Sequence, residues 1–241
     1  MQLDIATLVP GTETPAGDGI SGALRCVLRL PDGSRCAAVL KRADLAEVVA
    51  EAFGALLLQA WGLPVPTPYL IDEAGTIGFA SADTGYPNLK QRLGLASMSE
   101  GAARDAAVRV AMALATSLPS APLAAACDEA IDNSDRNLGN ILWDGDDEAW
   151  IDHALAFGRD GRDINMLCLM VLGTPSEESF SRATIAQSLA LDRDSPERVE
   201  RLVAASVLGD PNLAGFVSGR LVELARRLSD RFPRPPDLLS S

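Results

Sequence analysis

Lysine is almost missing from this chain: only Lys41 and Lys90 stand among 21 basic residues, and the other 19 are arginine. Where arginine is the default cation, a lysine marks a place that needs a compact ammonium, although coding bias would also deplete it. Histidine is scarcer still, with His153 alone. No Gly-x-Ser-x-Gly elbow is present, so there is no case for a Ser-His-Asp triad. The phosphate-binding fingerprint G-x-x-x-x-G-K-[ST] is absent. Positive charge is in deficit as well. A net charge of −12 and a pI of about 4.5 argue against a nucleic-acid partner and disfavour docking on an anionic membrane. No apolar run reaches the roughly 18 residues of a bilayer span. The first residues, MQLDIATLVPG, lack a basic segment followed by an apolar core, so no secretory leader is expected. Cys26, Cys36, Cys127 and Cys168 are scattered without metal-type spacing, which points to a reduced, cytoplasmic protein with mostly buried thiols.

What is present suits a packed fold. The chain has 241 residues, 47% of them apolar, enough for one large domain or two small lobes. Residues 2–9 alternate loosely, as a strand does. Thr12 to Gly22 is rich in glycine and small polar residues and reads as a loop. ALRCVLRL and SRCAAVLK flank Pro31-Asp32-Gly33, a hairpin signal, and the second strand ends at Lys41. Asp44 is placed to N-cap a helix, with Glu47 as its capping-box partner. The run LAEVVAEAFGALLLQAW is helical, and Gly62, Pro64 and Pro66 stop it. TPYLID and GTIGFAS form a second hairpin. SADTGYPN, between Phe79 and Asn88, breaks the pattern as a hinge. Beyond it the reading is helical, except for one short hairpin near residue 145.

That hairpin carries the chemistry. In DNSDRNLGNILWDGDDEAWIDHALAFG a polar loop leads into Ile141-Leu142-Trp143, an acidic turn, Ala149-Trp150-Ile151 and then Asp152. An Asp that meets an accepting hydroxyl, an Asn five residues later and a second Asp after the next strand are the parts with which kinases hold Mg-ATP. Asp135 with Asn140 and Asp132 with Asn137 share this separation. Asn140 runs directly into the strand, which favours Asp135 as the catalytic residue and Asn140 and Asp152 as metal ligands. Lys41 would reach the cleft and hold phosphates, and Glu51 on the next helix would fix it in place. Arg136 is read as a structural neighbour of Asp135, and His153 as a loop residue hydrogen-bonded locally. The nucleotide site is further assigned Phe79 and Ser81 near the hinge. Ser21 and Gly22 join it from the loop that also carries Gly17 and Gly19, whose amides are suited to cradling phosphate.

On these residues the chain resembles the HipA-like kinases, whose atypical protein-kinase-like fold is shared with phosphatidylinositol 3- and 4-kinases. The matching pieces are AAVLK ending at Lys41, the GLPVP turn from Gly62 to Pro66, the DNSDRNLGN loop and IDHALAFG, over roughly residues 35 to 158. The resemblance implies a catalytic base at Asp135, Mg²⁺ ligands at Asn140 and Asp152, and a phosphate-binding Lys41. Asn137 stands where HipA toxins usually carry His, and toxin activity is not implied. Full-length HipA toxins are much longer, so a minimal kinase core is expected.

The expectation is an α+β, bilobal protein-kinase-like fold. Residues 1–82 would form a small antiparallel β lobe with one helix, and residues 83–241 a larger, mainly helical lobe. The protein would bind ATP and Mg²⁺ and phosphorylate a protein Ser/Thr hydroxyl, with an antitoxin-like or regulatory protein as a further partner. AMP transfer on the same fold, and nucleotide or partner binding without catalysis, are the alternatives.

Overall fold

The computed structural model describes residues 2–16, 22–73 and 75–233. β1 (Asp4–Leu8) is followed by a two-residue strand, β2 (Thr14–Pro15), inside the segment read as loop. The first hairpin is β3 (Leu24–Arg29) and β4 (Arg35–Lys41). Gly33 takes the left-handed conformation its turn requires (φ +85°), and Asp32 accepts the Ser34 amide at 2.9 Å. α1 (Leu45–Ala60) starts on Asp44, whose carboxylate accepts the Glu47 amide at 2.8 Å, and its chain turns away at Gly62 (φ +84°). β5 (Pro68–Glu73) and β6 (Thr76–Ala82) make the second hairpin.

β6 pairs antiparallel with β4, which sets Phe79 opposite Lys41 and Ser81 opposite Val39. One pairing departs from the expected antiparallel arrangement: β1 runs parallel to β5, while its end pairs antiparallel with β3. Parallel neighbours need a long connection, and here the first hairpin and α1 supply it. Through β1 the strands β1, β5, β6, β4 and β3 close on themselves. The closed side holds a small core that includes Leu28, Leu40 and Ile71. Leu70 and Phe79 belong instead to the main core, which also takes in α1.

α1 is buried from two directions. It packs on β5 and β6 and also on α7 (Ser195–Ala204). Phe53, Leu56 and Leu57 are fully buried. Burying one such side chain is worth roughly 1.5–3 kcal/mol, so this helix is a fixed strut between sheet and helices. The remaining elements are α2 (Leu89–Arg92), α3 (Ala102–Ser117), α4 (Ala121–Ile131), β7 (Ile141–Trp143), β8 (Glu148–Trp150), α5 (Met166–Val171), α6 (Glu177–Ala190) and α8 (Ala214–Asp230). The fold is thus mixed α+β. Among the described residues no single helix is long and apolar enough to cross a membrane.

The β7–β8 hairpin is stitched to the preceding chain at two places. The Trp150 amide donates to the Pro64 carbonyl at 2.9 Å, inside the GLPVP turn, and the Trp143 amide donates to the Pro87 carbonyl at 3.0 Å. The turn that ends α1 therefore also positions the strand leading to Asp152.

Candidate active site

A cavity of about 540 Å³ lies where the sheet, α1, α2 and the β7–β8 hairpin meet. Lys41, Glu51, Phe79, Ser81, Asp135, Asn140 and Asp152 all line it. One expected residue does not join them. Gly22 sits in the left-handed region (φ +61°) facing open space and is not on the wall, although its neighbour Ala23 is. The turn conformation, rather than an approach to a ligand, accounts for glycine there. Ser21, Gly17 and Gly19 lie outside the described residues.

Lys41 sits at the end of β4, one strand from Phe79, and its ammonium is held by two carboxylates. Nζ is 2.5 Å from Glu51 Oε1 and 2.9 Å from Asp152 Oδ1. Burial works against this charge, yet Glu51 and then Asp152 hold the Lys41 pKa above its ordinary value. Burial also pushes the Glu51 carboxyl upward. For Asp152, the Lys41 ammonium outweighs burial and keeps the carboxyl below the usual range. Glu51 has a second contact: its Oε2 accepts the His153 amide at 2.9 Å. One buried carboxylate on α1 thus ties the strand lysine to the chain just past Asp152.

Asp152 has a left-handed backbone (φ 71°). A residue with a Cβ holds that conformation only where its surroundings fix it. They do so from both sides, since the preceding Ile151 carbonyl accepts from Arg136 Nη1 at 2.5 Å and the following amide is the one on Glu51. His153 differs from its expected role. Its imidazole is fully buried and neither ring nitrogen has a hydrogen-bond partner among the described residues. The ring instead packs against α1 at Gly54, where an added Cβ would come within 2.8 Å of His153 Cβ. Burial, with Arg136 close by, holds its pKa well below the ordinary value, so it is neutral at neutral pH.

The loop opposite is built on backbone hydrogen bonds. Asn137 Nδ2 and Asn140 Nδ2 both donate to the Asp135 carbonyl, at 3.1 and 2.9 Å. Asn137 Oδ1 accepts the Gly139 amide, so this asparagine shapes the loop. Asp132 is engaged elsewhere: it ends α4 with φ 59° and pairs with Arg220 at 2.8 Å. Asp135 lines the cavity and Asp132 does not.

Three participants were not legible from spacing. Arg136 is completely buried and bidentate with Asp128 of α4, at 2.9 and 2.8 Å. It reaches the Asn140 and Ile151 carbonyls and lies over the Trp150 ring, 5.6 Å from its centroid. Its structural role was anticipated; its partner was not. Asp128, an acid inside the apolar run AAACDEAI, was the available signal, because a buried carboxylate needs a cation. Arg162 lies 3.2 Å from Asp135 Oδ1 and also pairs with Asp160. Nothing in its local sequence marks it.

The residues fit a hard cation bound with a nucleotide. Asn140 spends its amide nitrogen on the loop and Asp152 spends one oxygen on Lys41. Among the described residues, Asn140 Oδ1 and Asp152 Oδ2 are left without hydrogen-bond partners in the same cavity. Two protein oxygens are what Mg²⁺ takes when phosphates and water complete its shell. Among the described residues no cluster of three His, Cys, Asp or Glu side chains is arranged to hold a metal.

Neither a family model nor a curated protein matches the sequence. Solved structures do match the fold. The proinflammatory kinase CtkA of Helicobacter pylori superposes with a TM-score of 0.59 at 13% identity, over 96% of this chain and 97% of that one. A chain of the Shewanella oneidensis HipA–HipB toxin–antitoxin complex with operator DNA matches at 0.45 and 13% identity, over 92% and 66%. The Golgi casein kinase matches at 0.42 and 11% identity, over 98% and 74%. The likeness to CtkA shows a kinase-like fold that spans nearly all of both chains. The resemblance read from DNSDRNLGN and IDHALAFG holds at the level of that fold.

Proposed function

We propose that this chain is an ATP- and Mg²⁺-dependent phosphotransferase that phosphorylates a protein Ser/Thr hydroxyl. The observation that carries the reading is the Lys41 ammonium, fixed between Glu51 and Asp152, in one cavity with Asp135 and Asn140. In this reading residues 1–82 and 83–241 act as two lobes around the nucleotide. Lys41 holds the inner phosphates, and Glu51 keeps it aimed. Asn140 and Asp152 hold the metal through their unpartnered oxygens. Mg²⁺, when bound, neutralises charge developing on the phosphoryl oxygens. Asp135 receives or orients the proton of the acceptor hydroxyl, and Arg162 swings away to admit it. That contact is exposed, with side-chain exposures of 47% and 37%, and such surface pairs are worth about 0–1 kcal/mol, so the displacement costs little. Phe79 and Ser81 line the hinge side. The protein works in the cytoplasm, where its free cysteines stay reduced, and a regulatory, antitoxin-like protein is a further partner; nucleic acid and membrane are not.

The product of the reaction tests this. ATP labelled at the γ-position should pass its label to protein, and ATP labelled at the α-position should not. Transfer from the α-position alone would establish AMP transfer in its place.

A further inference from the structure

Both lysines of the chain line the one cavity, but their surroundings are opposite. Lys41 is held by two carboxylates. Lys90, exposed on α2, has no hydrogen bond or ion pair among the described residues. Its ammonium rests against the loop between Asp135 and Asn140. A Cβ placed on Gly139 would stand 3.3 Å from Lys90 Nζ, 3.6 Å from its Cδ and 2.9 Å from Asn137 Oδ1. Glycine at 139 is therefore what lets the ammonium and the Asn137 side chain close over the loop backbone.

The charge of the site gives this free ammonium a task. Glu51, Asp152 and Asp135 bring three carboxylates to the cavity, and Lys41 is already shared by two of them. Of the arginines at the loop, Arg162 is turned to Asp135 and Arg136 is buried on Asp128. We propose that Lys90 is a second phosphate-binding residue, taking the terminal phosphate of the nucleotide on the Asp135–Asn140 side while Lys41 holds the inner phosphates. This rests on reading the cleft as a Mg-ATP site.

Titration calorimetry with ADP and with ATP, in Mg²⁺, on wild type, Lys90→Met, Lys90→Arg and Lys41→Met separates the two. A charge-assisted hydrogen bond to one phosphate predicts that Lys90→Met weakens ATP about tenfold and ADP less than about twofold. Lys90→Arg should recover most of the loss. Because Lys90 is exposed, the thermal midpoint should not change. An ATP affinity unchanged by Lys90→Met, or an equal loss for both nucleotides, would overturn the role of Lys90 alone. A wild type that binds neither nucleotide, or a Lys41→Met variant that binds both normally, would overturn the underlying reading of the cleft.

Discussion

Asp135→Asn is expected to lower γ-phosphoryl transfer by about 10²–10⁴-fold, the usual contribution of a positioned general base. Mg-ATP affinity should stay within about twofold, because Lys41, Asn140 and Asp152 are untouched. The Asp135 carbonyl, not its carboxylate, anchors both loop asparagines, so the loop keeps its shape. The carboxylate's partner is the exposed Arg162, and losing that pair should cost at most about 1 kcal/mol of stability. Asp132→Asn is the comparison that tests the register. Asp132 pairs with Arg220 and does not line the cavity, so its replacement should leave the transfer rate near wild type. Steady-state kinetics on the two variants decide between them. A collapse of the rate in Asp132→Asn with a normal Asp135→Asn would reverse the assignment.

Arg136→Met is expected to destabilise the protein by about 3–5 kcal/mol, the cost of leaving a buried charge without its partner. The charge left behind is Asp128, fully buried, with Asn133 at 3.1 Å as its one other side-chain hydrogen bond among the described residues. Adding Asp128→Leu should restore much of the stability, since an apolar pair of similar volume replaces a buried ion pair at little cost. Activity should not return with it. The Ile151 carbonyl would still lack the guanidinium that holds Asp152 in its left-handed conformation. Chemical denaturation measures the first effect and single-turnover transfer the second. A double variant that is both stable and fully active would show that Arg136 serves packing alone.

The sequence disclosed most where the determinants are local. The Asp44 cap, the Pro31-Asp32-Gly33 turn, the two N-terminal hairpins and the β7–β8 hairpin all depend on residues a few positions apart, and each stands where its pattern indicates. The sequence singled out Lys41, Glu51, Asp135, Asn140 and Asp152 by type and local spacing, and the fold brings these residues, over a hundred positions apart at the extremes, to line one cavity. What escaped depends on partners distant in the chain. The parallel β1–β5 pair joins residues far apart in sequence, and the Arg162–Asp135 contact spans two loops. His153 packs on Gly54, a helical glycine whose reason is visible only in three dimensions. Gly22 was assigned to the site on composition, which cannot say which way the backbone turns there.

The central claim is that the groove between Lys41 and the Asn140–Asp152 pair binds ATP with magnesium. Thermal unfolding of wild type and Asp152→Asn, titrated with ATP in Mg²⁺ and in EDTA, tests it most directly. Wild type in Mg²⁺ should gain stability with the logarithm of ATP concentration, about 2.7 kcal/mol at a hundredfold excess over Kd. EDTA or Asp152→Asn should remove most of that gain. No stabilisation by ATP, or the same gain with and without magnesium and in the variant, would contradict it.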